Sequence, residues 1–300
     1  MNQIPLPHGT SATGSLLMLS SAFNFAILDS LVKILGPSFR VWDIAFYRFG
    51  CGLLLLMAIF CWHGNPFKGH NPKLMVINGL LSTMGFLALI TSIRLIPIST
   101  AMVLFYSFPA FAALFSSLIF KEKIKKVELL CIFVAFLGVM LLFEFNLEGS
   151  LFGQVMGLLA GICIGLSITV VRKLREKDGS VVIYLYYCLV GIIISLPVFL
   201  VEPRLPQLGI EWLILGGIVL SSVCAMLLMN RGFRYCKSWE GGLFLTSEMV
   251  FTSLFGIFFL HEIVTWRFLG GGLLILASVI ALNISNARKP SPVSVAAGDR

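Results

Sequence analysis

Charge is scarce in this chain. Asp, Glu, Lys and Arg make up 12% of its 300 residues, against about 25% in an ordinary soluble domain. A folded domain in water needs a polar skin, and so little charge cannot make one. That excludes a soluble enzyme, a nucleic-acid-binding domain and a disordered chain. Histidine is sparse too: four residues without ligand spacing. The seven cysteines include no Cys-x-x-Cys pair. They read as small apolar core residues, and no disulfide or metal framework is expected. The chain also lacks a Gly-rich phosphate loop with Lys, a Ser nucleophile elbow, His-Glu-x-x-His and any cofactor fingerprint. No enzyme activity, no cofactor and no ATP-driven work by this chain alone are expected. No cleavable signal peptide is evident, because the residues before Gly14 carry no Lys or Arg.

Apolar sequence is what the chain has in abundance. Hydrophobic residues make up 58% of it, and the mean hydropathy is +0.97. Ten apolar runs lie at about 14–34, 41–62, 74–93, 96–120, 127–144, 151–172, 181–201, 211–230, 239–260 and 266–286. Each is near the ~20 residues that cross a bilayer as a helix. They are too long and too continuously apolar for barrel strands. The expected fold is an all-α integral membrane bundle of ten transmembrane helices.

The net charge is +8, and its placement sets the orientation. With the N-terminus inside, sixteen of the 22 Lys and Arg fall in segments on one side. They include Lys121, Lys125, Lys126, Arg172, Lys173, Arg175, Arg231 and Arg234. Cytoplasmic loops collect cations, so both termini are expected in the cytoplasm, with the chain multi-pass in the cytoplasmic (inner) membrane. Residues 287–300 are polar and rich in Pro and Ser, and are expected to form a disordered cytoplasmic tail.

The chain also resembles itself. A shift of 140 positions pairs Ser82 with Ser222, Arg94 with Arg234, Ser107 with Ser247, Glu122 with Glu262 and Val139 with Val279. A shift of 139 pairs Gly14 with Gly153 and Lys33 with Arg172. Two five-helix repeats are expected, at 14–144 and 151–286. Five is an odd number, so the second repeat enters the membrane inverted. Inverted repeats are a common build of secondary transporters, with the substrate near mid-membrane between the halves.

The repeat residues carry a family resemblance. The stretch ALITSIRLIPISTAMVLFYSFPAFAALFSSLIFKEK (Ala88–Lys123) resembles the signature segment of the drug/metabolite transporter superfamily, EamA-type. GLFLTSEMVFTSLFGIFFLHE (Gly242–Glu262) resembles the same segment in the second half. FAILDSLVKIL (Phe25–Leu35) and FYRFG (Phe46–Gly50) extend the likeness across residues 14 to 286. The resemblance implies a ten-helix, two-repeat transporter of small metabolites, often an exporter, with a central cavity lined by helices of both repeats. In the second repeat Met249 stands where the first has Pro109, so the two halves are not expected to kink alike.

Charges inside spans are the leading site candidates, because burying one in hydrocarbon costs at least about 2.5 kcal/mol. Glu248 lies near the middle of its run, where the first repeat has Phe108. It can bind a cationic or amine group, or take up a proton; a structural partnership with Arg48 is the plainer alternative. Arg48 can hold a substrate carboxylate through its planar fork. Pairing with Asp43 or a backbone carbonyl accounts for it equally well. Asp29 is four residues before Lys33 on one helix face, which makes a structural lock the stronger reading and a site the weaker one. Tyr106, Tyr47, Tyr186, Tyr187 and Asn24 are candidates to complete a pocket that is mostly apolar. Trp42, Trp62, Trp212, Trp239 and Trp266 lie near span ends and read as interface anchors. Gly153, Gly157, Gly161 and Gly165 recur every four residues and mark a close-packing face.

The expected activity is secondary transport of a small organic metabolite, an amino acid or related compound, in the exporting direction. A carrier of a vitamin, nucleoside derivative or drug, in the uptake direction, is the alternative. The expected partners are that substrate, coupled protons and the lipid bilayer, with a homodimer left open and no nucleic acid.

Overall fold

The computed structural model describes residues 12–35, 39–60, 67–96, 98–121, 124–142, 150–207, 209–260 and 266–287. Glu122, Glu262, Trp62 and the tail from 288 onward lie outside the described residues. Among the described residues every regular element is a helix: α1 (Ala12–Leu35), α2 (Val41–Phe60), α3 (Pro72–Leu95), α4 (Ile98–Phe105), α5 (Phe108–Phe120), α6 (Lys126–Leu142), α7 (Leu151–Leu174), α8 (Ser180–Val201), α9 (Gly209–Gly232), α10 (Ser238–Leu245), α11 (Ser247–Leu260) and α12 (Trp266–Ala287). Helices satisfy their own backbone hydrogen bonds, the condition for placing a chain in lipid. Among the described residues seven spans are long and apolar enough to cross a membrane. One of them runs through α4 and α5 as Thr100–Phe120. Thus two of the apolar runs are each carried by a pair of segments, α4 with α5 and α10 with α11.

Side chains close several helix starts. Asn71 accepts from the backbone N–H of Leu74, with Pro72 opening α3. Glu128 accepts from Lys125 N–H at 2.8 Å, and Glu240 from Lys237 N–H at 2.9 Å. Each supplies an acceptor to a donor left free at a helix N-terminus.

The packing has a two-way correspondence. α1 lies along α9, and α7 lies along α3. α1 also meets α10 and α11, as α7 meets α4 and α5. α2 packs on α8, α6 on α12, and α5 crosses α10. One end of the bundle is sealed by fully buried Met18, Met75, Leu174, Ile183, Trp239 and Leu243. At the same end Asp178 accepts from the His70 backbone N–H at 2.6 Å and meets its ring Nδ1 at 3.2 Å. Arg175 donates from Nε to the carbonyl of Asn230 at 2.8 Å. These bonds tie the turn after α7 to the start of α3 and the end of α9.

Trp239 corrects the expectation of an interface anchor. Its side chain is 0% exposed, because α10 is covered by α1, α5 and α7. Trp212 and Trp266 are exposed, at 55% and 68%, as the anchor reading requires.

Candidate functional site

Both split helices break at corresponding places. In the first, Tyr106 and Ser107 separate α4 from α5; in the second, Thr246 separates α10 from α11. The first break has an evident cause, since Pro109 in the first turn of α5 has no N–H to continue the ladder. The second has no proline. There the Thr246 hydroxyl donates to the Leu243 carbonyl at 2.7 Å, as the Ser107 hydroxyl does to Leu104 at 2.6 Å. A hydroxyl bonding back to the i−3 carbonyl competes with the helix ladder and bends the chain. This corrects the expectation that the halves would differ for want of a proline at Met249: both are interrupted.

The glycine face of α7 seats the first break. A Cβ at Gly161 would stand 2.8 Å from the Ser107 Oγ, 3.0 Å from the Leu104 carbonyl oxygen and 3.1 Å from that of Phe105. At Gly165 it would stand 2.7 Å from the Phe111 Cβ and 2.9 Å from the Phe108 carbonyl oxygen. Only glycine lets the broken backbone come this near, and Gly153 and Gly157 extend the same contact toward Leu95, Ile96, Ser92 and Leu104.

Four of the candidate side chains converge around the breaks. Glu248 stands in the first turn of α11, where its carboxyl faces the Asp29 carboxyl from α1 and the Tyr106 side chain. Arg48, from α2, acts on both carboxyls through space. Its Nε donates to the Ser222 hydroxyl of α9 at 2.6 Å. Tyr184, Tyr187 and Cys188 of α8 face the same guanidinium. Asp29, Arg48 and Glu248 are each only partly covered, although the helices around them form the middle of the bundle. The cluster brings two carboxyls, a phenol and a guanidinium fork together.

Other candidates go elsewhere. Asn24 donates its side-chain N–H to the Ser20 carbonyl of its own helix at 2.8 Å. Tyr47 donates to the Arg204 carbonyl at 3.0 Å and packs against Phe199 and Trp212. It belongs to the bundle end opposite the seal, where Asp43 pairs with Arg40 at 3.1 Å and Arg40 with Glu202 at 2.8 Å. The Asp43 hydrogen bond raises the Arg40 pKa above its ordinary value. A cavity of about 290 Å³ opens there, lined by Arg40, Asp43, Glu202, Pro203 and Arg204. Asp43 is thus committed to Arg40, leaving Arg48 to the central cluster. Tyr186 donates to the Phe67 carbonyl at 3.4 Å. Ser222 and Tyr184 were not singled out as site residues by the sequence. Ser222 had one signal, its pairing with Ser82 in the repeat. Among the described residues no cluster of three or more His, Cys, Asp or Glu side chains suits a metal ion. Cys131, Cys163, Cys188 and Cys236 are buried free thiols.

The family profile described as "EamA-like transporter family" matches this chain twice, over residues 12–144 and 151–284. The chain belongs to the EamA-like transporter family. Among similar proteins, the pseudopaline exporter CntI of Pseudomonas aeruginosa is 23% identical over 272 residues, covering 90% of this chain and 96% of that one. Solute carrier family 35 member G1 of Homo sapiens is also 23% identical, covering 90% of this chain and 79% of that one. The S-adenosylmethionine uptake transporter of Rickettsia bellii is 22% identical, covering 92% and 94%. A solved crystal structure superposes with a TM-score of 0.80 over 93% of this chain and 99% of that chain, at 15% identity, and shares the fold. This EamA-like protein is thus a multi-span membrane protein whose family consists of transporters rather than enzymes, and its setting is the lipid bilayer.

Proposed function

We propose that the protein is a secondary transporter that moves a small organic metabolite, an amino acid or related amphipathic compound, out of the cell by alternating access. It sits in the cytoplasmic membrane with both termini inside. The observation that carries this reading is the meeting of Asp29, Arg48, Tyr106 and Glu248 at the broken helices. Broken helices and intramembrane charges mark substrate and proton pathways in transporters. Arg48 matches a substrate carboxylate, and the two carboxyls match an amine. Glu248, beside Asp29, couples transport to protons by giving up a proton as substrate binds and regaining it on the other side.

Two inverted repeats, 14–144 and 151–286, supply the two access states. The exchange of α1–α9 packing for α7–α3 packing supports this, since a pseudo-two-fold axis relates such pairs. The sealed end fits one of the two states. The named exporter among the relatives supports export. The uptake transporter supports the second reading, uptake of a nucleoside-bearing or drug-like compound.

The test is a metabolite comparison of cells lacking and overproducing the protein, followed by proteoliposomes with and without a proton gradient. We expect one amino-acid-like compound to accumulate outside the overproducing cells and to move saturably in liposomes. Absence of any substrate flux, with or without the gradient, would sink the transporter reading. Flux without saturation would make the protein a channel.

A further inference from the structure

α5 and α6 follow one another in the chain, yet α6 packs on α12, and α5 on α7 and α10. The gap is a groove of about 500 Å³ lined by Ala110, Lys126, Leu129, Leu130, Ile132, Phe133 and Phe136. That size is within the range of about 300–1,000 Å³ for small-molecule sites. Its wall is apolar apart from Lys126 at one end. Ten residues of helix separate Lys126 from Phe136, about 15 Å at 1.5 Å per residue. A hydrocarbon core is about 30 Å thick. The groove therefore runs the depth of one leaflet, from a cation at head-group level to mid-membrane. Exposed Lys121 and Lys125 stand beside the same end, the side that the loop charges make cytoplasmic.

The deep end of the groove has a neighbour. Ala110, Ile132 and Phe136 also line a pocket of about 10 Å³ with Tyr106, Ser107, Pro109, Ala135 and Thr246. That space admits no more than about one water. One thin wall thus separates the lipid-facing groove from the residues at both helix breaks.

From this geometry we infer that the α5–α6 groove is a binding site for an anionic phospholipid, one acyl chain filling the groove and the phosphate meeting Lys126. Apolar packing alone gives little preference here, because lipid tails are as apolar as the wall they touch. The preference comes from charge, since cations at the membrane surface attract anionic head groups. A chain end resting on Ala110 and Phe136 braces the two breaks, which makes the site a means for membrane composition to act on transport.

Native mass spectrometry of the purified full-length protein tests this, with phosphatidylglycerol or phosphatidylcholine added at equal concentration. We expect phosphatidylglycerol to occupy the wild type at least about fivefold more than phosphatidylcholine, since an added cation at the surface is worth roughly that factor. Lys126→Gln should erase the preference, and Ala110→Trp should displace the lipid by filling the groove. Leu130→Trp serves the same end if Ala110→Trp does not fold. Leu213→Trp, on an exposed face elsewhere, should leave binding unchanged. Equal binding of the two lipids by the wild type, or a preference that survives both Lys126→Gln and the groove-filling variant, overturns the proposal. Displacement by soluble glycerol phosphate would do so too, by showing a phosphate site that needs no acyl chain.

Discussion

Proteoliposomes bearing Glu248→Gln should lose the accumulation of substrate that a pH gradient drives. A one-unit gradient stores about 1.4 kcal/mol per proton, a tenfold bias in a coupled carrier. In the variant that ratio should fall to about one. The substitution keeps the shape of the side chain, so the bundle should still fold. What it removes is the one group at that position able to take up and give back a proton, as the proposed mechanism requires. Substrate exchange with substrate on both sides needs no net proton movement and should persist. An accumulation ratio that still follows the gradient in Glu248→Gln takes coupling away from this residue.

Gly161→Leu should bring flux to background and reduce the folded, monodisperse fraction in detergent. The reason is local. The first side-chain carbon would press on two backbone carbonyl oxygens at 3.0 and 3.1 Å and on the Ser107 hydroxyl at 2.8 Å. Backbone cannot turn aside as a flexible side chain can. Overpacking a close contact costs about 1–3 kcal/mol, occasionally more. Leucine adds three further carbons to that clash, on the seat of the α4–α5 break. Gly161→Ala should show the same direction with a smaller loss. Wild-type flux and wild-type folding in Gly161→Leu would mean that α7 does not support the break.

These residues also show what the sequence can and cannot convey. Charge in an apolar run stands out because hydrocarbon penalises it, so Asp29, Arg48 and Glu248 were visible at once. A four-residue glycine repeat is equally plain, and it lies against the break as a close-packing face should. Direction around a helix is harder to read. Asn24 is five residues from Asp29, about 140° around the helix at 100° per residue. Tyr47 is a single step of about 100° from Arg48. Nearness in sequence therefore puts neither on the helix face of its charged neighbour. Ser222 was hidden for another reason: a serine among apolar residues has many roles, and only α2 packed on α9 supplies its guanidinium. The break at Thr246 was obscured because a backbone-bonded hydroxyl leaves no proline-like mark.

The meeting of Asp29, Glu248 and Arg48 has an electrical consequence. If the two carboxyls hold one proton between them, they carry one negative charge, and Arg48 carries one positive charge. On the proposed mechanism the empty site is neutral when it turns from one face of the membrane to the other. Moving a net charge through the whole field would cost about 2.3 kcal/mol per 100 mV, and this return step avoids that cost. Voltage then acts on the loaded carrier, whose site has given up the proton and carries one negative charge besides that of its cargo. Efflux of a zwitterion in exchange for a proton should accordingly speed up under an inside-negative potassium diffusion potential, and efflux indifferent to that potential would contradict proton exchange at this site.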